Sequence, residues 1–373
     1  MMLERTTGVN PCRTRGARPA RRAGPCGRLD PPCDDLADLA EREAARRRPG
    51  RSGEALNVIV IGGGQAGLAA GYHLRRAGLD FSILDAQPGP GGAWLHGWDS
   101  LRLFSPARHS SLPGWPMPRY PHAGYPTADH VVDYLAAYEK RYELPVERST
   151  RVRSVRRVDG GYDIDGRFAD AVISTTGTWW RPFIPAAARG LPGRQLHTAH
   201  YRNPRQLAGQ RVVVVGGGNS GAQIAADLAG HVDLTWTTRR PPRYLPDEID
   251  GEALFDIATR RPGGVGALGD IVAVPPVREA RDRGLLNPQR MNRHTLAGAD
   301  TVIWCTGFRP ALDHLAPLGL RDRDGQVRGE PRSHLLGYGD WTGPASATLV
   351  GVGPTARAAV RTIADALGVT ARR

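Results

Sequence analysis

The stretch that most constrains this chain runs from Asn57 to Asp85. Asn57-Val58-Ile59-Val60-Ile61 is an apolar run of strand length, closed by Gly62-Gly63-Gly64-Gln65-Ala66-Gly67. A helix-period segment from Leu68 to Arg76 follows, then a second short apolar strand, Phe81 to Leu84, ending in Asp85. Strand, glycine turn, helix and strand in this order are the βαβ dinucleotide fingerprint in its required context. Gly62 suits the tight turn, Gly64 the close approach of backbone to a pyrophosphate, and Gly67 the packing of helix on strand. The phosphates then sit at the helix N-terminus, where unpaired N–H groups and a partial positive charge favour anions. Gln65 and Ala66 open that helix and belong to the same site.

The pattern recurs. Arg211-Val212-Val213-Val214-Val215 leads into Gly216-Gly217-Gly218-Asn219-Ser220-Gly221, a helix from Ala222 to Leu228, and a strand from Val232 to Arg240. The distance from third glycine to strand end is the same in both, since 85 minus 67 and 239 minus 221 each give eighteen, but the residue there changes from Asp85 to Arg239, with Arg240 beside it. An acid suits the free hydroxyls of a ribose, whereas paired arginines suit a 2′-phosphate. The expectation is FAD on the first unit and NADPH on the second.

The 373 residues, 40% hydrophobic, suffice for two packed domains and at most three. The formal net charge of +13 is almost all arginine, Lys140 being the only lysine, and it comes with heavy Ala, Gly and Pro usage. No basic run is interleaved with aromatic residues, so no nucleic-acid partner is expected. No segment has the length needed to span a bilayer, and no apolar stretch of signal-peptide type follows the early arginines, so no membrane partner and a cytoplasmic location are expected. Residues 1–53 are rich in Arg, Pro and Gly and lack core-forming residues, which predicts a disordered tail with at most a short helix from Asp34 to Arg48. Three of the four cysteines, Cys12, Cys26 and Cys33, fall there at spacings that fit no zinc pattern, and the fourth, Cys305, ends an apolar strand. His197 and His200 lie three apart in a loop with no third ligand signalled nearby, so no metal site is expected.

Between the two fingerprints come the loop Pro88 to Trp94, a short extended piece from Leu101 to Pro106, and a helix from Thr127, a good N-cap, to about Tyr142. Strands are predicted at 151–158 and 161–164, and again from Ala171 to the junction Thr176-Gly177. The junction Thr306-Gly307 echoes it after the strand Thr301 to Cys305. A strand from Leu335 to Asp340 and a helix from Thr355 to Leu367 close the chain. The fold class expected is α/β, with two Rossmann-type dinucleotide-binding domains: 54–205 and 300–373 form the FAD domain, and 206–299 is an inserted NADPH domain.

With these residues assembled, the chain resembles the class B flavin-dependent monooxygenases over about residues 55–368, and within them compact bacterial flavoproteins found beside arsenic-resistance and metal-efflux genes. The resemblance rests on the paired glycine turns, Gly91-Gly92-Ala93-Trp94, the two Thr-Gly junctions, Gly339-Asp340, and a linker in which Gly193, His197 and Tyr201 fit the family pattern. Leu191 replaces that pattern's Phe, and Arg202 stands where the Baeyer-Villiger subgroup has Pro. Ser105 stands where flavin-containing monooxygenases usually carry an Asn, and the stretch 287–299 is shorter than the family's closing hairpin. The resemblance implies that NADPH reduces FAD, that O2 adds to the reduced flavin at C4a, and that a small-molecule substrate, a soft nucleophile at N, S or As, is oxygenated. It assigns Gly62, Gly64, Gln65, Ala66, Gly67, Asp85, Gly92, Trp94, Gly177 and Asp340 to FAD. Gly216, Gly218, Asn219, Ser220, Gly221, Arg239 and Arg240 go to NADPH, and Ser105 becomes the candidate catalytic residue beside the flavin. Some of Trp94, Trp98, Trp179, Trp180 and Trp341 are expected to line the flavin cleft. A reductase handing electrons to a partner or to O2, a redox sensor, and an inactive relative share the same folds and stay open. Deletion of residues 1–53 should leave flavin content unchanged and stability within about 0.5 kcal/mol, as for changes outside any packed core; absorbance and urea unfolding of the truncated protein check this.

Overall fold

The computed structural model describes residues 56–247, 253, 271–319 and 330–369. The tail expected over 1–53, its short helix and Cys12, Cys26 and Cys33 lie outside the described residues. The first sheet contains β1 (Asn57–Ile61), β2 (Asp80–Leu84), β3 (Val146–Glu147), β7 (Ala171–Ser174) and β13 (Ser333–Leu335), all parallel, in the order β13-β7-β1-β2-β3. Its central strands are apolar on both faces because both faces are covered, as parallel sheets require. One cover is a helix pair: α1 (Gln65–Ala77) packs Leu68, Ala69 and Leu74 with Val352, Ala356, Val360 and Ile363 of α6 (Val352–Ala366). Helix α2 (Ala128–Arg141) joins them through Val131, Leu135 and Tyr138, and its N-cap is Thr127, whose Oγ1 accepts the His130 N–H at 3.3 Å. The other face is covered by an antiparallel sheet of β4 (Val155–Val158), β5 (Gly161–Ile164) and β6 (Arg167–Ala169).

The second sheet contains β8 (Arg194–His197), β9 (Arg211–Val215), β10 (Asp233–Thr238), β11 (Gln289–Arg290) and β12 (Thr301–Trp304), all parallel, in the order β11-β10-β9-β12-β8. Helix α3 (Asn219–Leu228) follows β9 and packs with α4 (Pro275–Asp282), while α5 (Arg293–Ala297) leads into β12. The two sheets share one plan: β1 corresponds to β9, β2 to β10, β3 to β11, β7 to β12 and β13 to β8. The second sheet thus takes strands from outside 206–299, because each glycine turn needs a neighbouring strand to close against. We propose that the second unit runs from about 194 to 305. The stretch 287–299 holds β11 and α5 rather than a hairpin. The strand expected over 335–340 ends at Leu335; Gly337 and Gly339 adopt φ of +85° and +100°, which turns the chain out of the sheet before Asp340.

The chain passes between the sheets twice, after β7 and after β12, and the two passages pair with each other. Phe183 N–H donates to Gly307 O at 3.0 Å and Arg309 N–H to Arg181 O at 2.8 Å, around an antiparallel bridge between Pro182 and Phe308. An ion pair between Arg181 and Asp313 ties the same passages.

Buried hydroxyls fix the strand ends behind the first glycine turn. Ser174 Oγ lies 2.7 Å from Tyr338 OH and 3.0 Å from His314 Nε2, and Thr176 N–H donates to Tyr338 OH at 3.1 Å. Burial lowers the pKa of His314 to about 4. The unfolded chain therefore binds a proton that the folded one does not as pH falls through 6.5 toward 4, so His314 stabilises the fold above pH 6.5 and that contribution is lost on acidification. Its share is about 3.5 kcal/mol at most, at about 1.4 kcal/mol per pH unit between the two pKa values. Urea unfolding at pH 7 and pH 4.5 should show a smaller acid loss in His314→Gln than in the wild type.

Candidate functional site

Each glycine turn stands at the C-terminal end of its central strand, pressed against the strand beside it. Gly62 has φ +110°, and a Cβ there would lie 2.7 Å from Thr175 O; Gly216 has φ +146°, and its Cβ would overlap Cys305 O. Thr175 follows β7 and Cys305 follows β12, so the two turns close in the same way. The third glycine of each motif is required by packing, since a Cβ on Gly67 would overlap Gly62 O and one on Gly221 would overlap Gly216 O. The middle glycines differ. A Cβ on Gly64 would come no nearer to other atoms than 3.8 Å, to Gly92 Cα, and one on Gly218 would meet nothing within 4 Å. The protein itself does not demand glycine there, which fits a ligand that takes the space a side chain would fill. Helices α1 and α3 begin at these residues with no side chain capping their N-termini, leaving N–H groups for an anion.

The first cleft, of about 570 Å³, is lined by Gly62, Gly64, Gln65, Ala66, Asp85, Gly92, Trp94 and Gly177. Both this and the second cleft fall within the roughly 300–1,000 Å³ of small-molecule pockets. Gln65 holds the cleft together: Trp94 Nε1–H donates to its Oε1 at 3.1 Å, and its Nε2 donates to Ala347 O at 2.7 Å. Asp85 lies just past the end of β2 and is buried; one carboxylate oxygen is paired with Arg148, and the other receives only a long 3.4 Å bond from Gln87 N–H. Arg148 in turn pairs with Glu139. Thr150, Arg151, Val152 and Arg153, from the loop after β3, complete one wall, and Trp179 and Trp180 another. Of the five tryptophans singled out, Trp94, Trp179 and Trp180 line this cleft, Trp98 is buried in the second unit's core, and Trp341 is 50% exposed.

The second cleft, of about 990 Å³, brings together Gly216, Gly218, Asn219, Arg239 and Arg240, with Phe104, Phe183, Leu245, Met291 and Thr348. Asn219 Oδ1 accepts the Val272 N–H at 2.8 Å, fixing the start of α3 against the far wall. Arg239 and Arg240 are exposed and have no carboxylate partner among the described residues, and they stand in the second cleft at the place where the first has Asp85. Ser220 sits in the first turn of α3 and is not part of the cleft's lining.

Ser105 and Asp340 are not brought to either wall. Ser105 Oγ is 2.7 Å from Ser110 Oγ, within the turn following Phe104, and Asp340 accepts the Ala345 N–H at 3.3 Å, shaping the turn that carries Ala347 and Thr348 to the clefts. The linker residues serve packing. A Cβ on Gly193 would overlap Ala299 O, and buried Tyr201 OH donates to Asp227 at 2.6 Å. His197, with its pKa lowered by burial, donates from Nε2 to Gly307 O at 2.9 Å and accepts the Ala199 N–H at Nδ1, so both ring nitrogens are engaged. Cys305 is the free cysteine among the described residues, and burial pushes its thiol up to about 12.

Residues 59–331 match the family described as pyridine nucleotide-disulphide oxidoreductase. The chain is 32% identical to the oxidoreductase CzcO of Bacillus subtilis over 73% of its own length and 86% of that protein's. It is 39% identical to a CzcO-like oxidoreductase of Geobacillus kaustophilus over 54% of this chain, spanning 59% of that relative. Among solved structures, a flavin-containing monooxygenase from Stenotrophomonas maltophilia is 46% identical, with a TM-score of 0.76 over 84% of this chain and all of that one. The glycine turns, the shared strand order and these matches agree that the chain belongs to the pyridine nucleotide-disulphide oxidoreductase family.

Proposed function

We propose that the chain is an FAD- and NADPH-dependent monooxygenase that passes one oxygen atom of O2 to a small soft nucleophile at N, S or As. The observation that carries this reading is the pair of like-built clefts with opposite charge at the same place, Asp85 in one and Arg239 with Arg240 in the other. Gly62, Gly64, Gln65 and Ala66 would hold the FAD pyrophosphate at the start of α1, with Asp85 on the ribose and Gly92, Trp94 and Gly177 against the rest of the cofactor. Gly216, Gly218 and Asn219 would hold the NADPH pyrophosphate, and the two arginines its 2′-phosphate. Gly67 and Gly221 serve by packing, Ser220 stands in the first turn of α3, and Asp340 holds the turn that carries Ala347 and Thr348 to the clefts. When bound, the flavin would supply the redox chemistry, taking electrons from NADPH and activating O2. The chain's own part is to orient the two cofactors and keep water away, with Trp94, Trp179 and Trp180 as the apolar walls. Reduction of a disulfide needs a reactive dithiol, and among the described residues the one thiol, Cys305, is buried and pushed up to about 12. Similarity to a flavin-containing monooxygenase supports oxygenation over electron delivery to a partner.

Coenzyme choice tests the second cleft: the wild type should prefer NADPH, and Arg239→Ala should lower kcat/KM for NADPH by about one to two orders of magnitude while affecting NADH far less. Oxygenation is tested by mixing NADPH-reduced enzyme with aerated buffer in stopped flow. A transient absorbance distinct from oxidised and reduced flavin, longer-lived with NADP+ present, is expected. Direct return to oxidised flavin, with all O2 recovered as hydrogen peroxide in the presence of amines, sulfides and trivalent arsenicals, would move the assignment to a reductase or oxidase.

A further inference from the structure

The segment 92–99 belongs to both halves of the molecule. Its beginning, the turn Gly92–His96, carries Gly92 and Trp94 into the first cleft, and Trp94 packs against the core that contains α1 and α6. Four residues later Trp98 is buried in the other core, with Tyr201, Leu207 and Val214 of the second unit. His96, between them, stacks on Trp179 at 5.0 Å and is within 2.7 Å of the Gln87 side chain, two residues of the first cleft's lining.

The middle of this bridge is held by one cation. Arg202 Nη1 donates to His96 O at 2.8 Å and also faces the carbonyls of Gly97, Ala199 and Tyr201 at 3.5, 3.4 and 3.2 Å. The side chain is part-buried and has no carboxylate partner among the described residues. The backbone repeats the fastening: Asp99 N–H donates to Arg202 O at 2.9 Å, and Asn203 Nδ2 donates to Asp99 Oδ2 at 2.7 Å. Arg202 touches neither cleft, so its effect on the chemistry must pass through the segment it holds.

We infer that Arg202 is a positioning residue that locks the Gly92–Asp99 bridge to the linker entering the second unit, and so sets how the nicotinamide-bearing half meets the flavin-bearing half. This rests on the proposed assignment of the two clefts. The side chain acts through a single donor nitrogen on a ring of carbonyls, which an ammonium can also satisfy, whereas an apolar side chain of similar length cannot. The discriminating pair is therefore Arg202→Lys and Arg202→Met.

In anaerobic stopped flow, Arg202→Met should reduce the limiting rate of flavin reduction at saturating NADPH by about tenfold or more, since misplacing reacting groups by about 1 Å costs up to about 10²-fold. The NADPH concentration at half-maximal rate should move less than about twofold, because the phosphate-binding arginines are untouched, and Arg202→Lys should recover most of the rate. Hydrogen exchange on the full chain gives a readout independent of turnover: amides 92–99 and 199–203 should exchange faster in Arg202→Met, with protection restored in Arg202→Lys. A wild-type rate and unchanged protection in Arg202→Met would overturn the inference, as would a lysine variant as slow as the methionine one. If Arg202→Met loses FAD or does not fold, Asp99→Ala, which removes the side-chain half of the parallel fastening and keeps the Asp99 N–H bond to Arg202 O, is read the same way, and a wild-type rate and protection there overturn it. A wild type that NADPH does not reduce would sink the assignment of the clefts instead, and the exchange comparison would still decide the role of Arg202.

Discussion

Everything in the two clefts depends on one steric constraint, the near-contact between a glycine turn and the carbonyl of the strand beside it. Gly62 lies so close to Thr175, and Gly216 to Cys305, that no other residue fits, and the third glycine of each motif lets its helix start directly over that turn. The closeness brings a helix N-terminus to the open end of a parallel sheet, where the dipole and the unpaired N–H groups face a phosphate. From there the chemistry divides according to what stands at the end of the next strand. A buried carboxylate shared with Arg148 marks one unit, and two exposed guanidinium groups mark the other.

Much of this was legible in the sequence because it is local. The runs 57–61 and 211–215 are strands with the expected bounds, Thr127 caps its helix, and the residues of each glycine motif meet in one place. The helices α1 and α3 begin three residues before the apolar period does, since a glycine turn starts a helix before any hydrophobic pattern can register. What was not legible is non-local. Nothing in Thr150 to Arg153 marks them as cleft wall, because β3 is two residues long and has no period to read. The part played by β8 and β12 in the second sheet depends on which strand a turn closes against, and that is fixed by Cys305 lying over Gly216 rather than by any repeat along the chain.

Ser105 and Asp340 show that a position in a motif does not by itself say which side chain of a turn lines a cleft. Ser105 sits in the anticipated turn, whereas Asp340, expected to end a strand, lies in a turn beyond it; each hydrogen-bonds within its turn, and neighbours line the clefts, Phe104 in one case, Ala347 and Thr348 in the other. Conversely, Gln65 was expected to touch a cofactor only through its place at the start of a helix. Its side chain joins Trp94 to Ala347, residues separated by most of the chain, and so fixes two walls of one cleft at once.

The paired passages between the sheets also bear on how the two halves can move. A single covalent connection would act as a swivel, free to turn in any direction. Residues 181–183 and 307–309 are instead hydrogen-bonded side by side as a short ribbon, with Arg181 and Asp313 fastened across it. A ribbon bends readily out of its own plane but resists shear and splay within it, because those distortions stretch the bonds between its edges. The ribbon therefore leaves bending out of its own plane as the soft direction between the halves and stiffens the others.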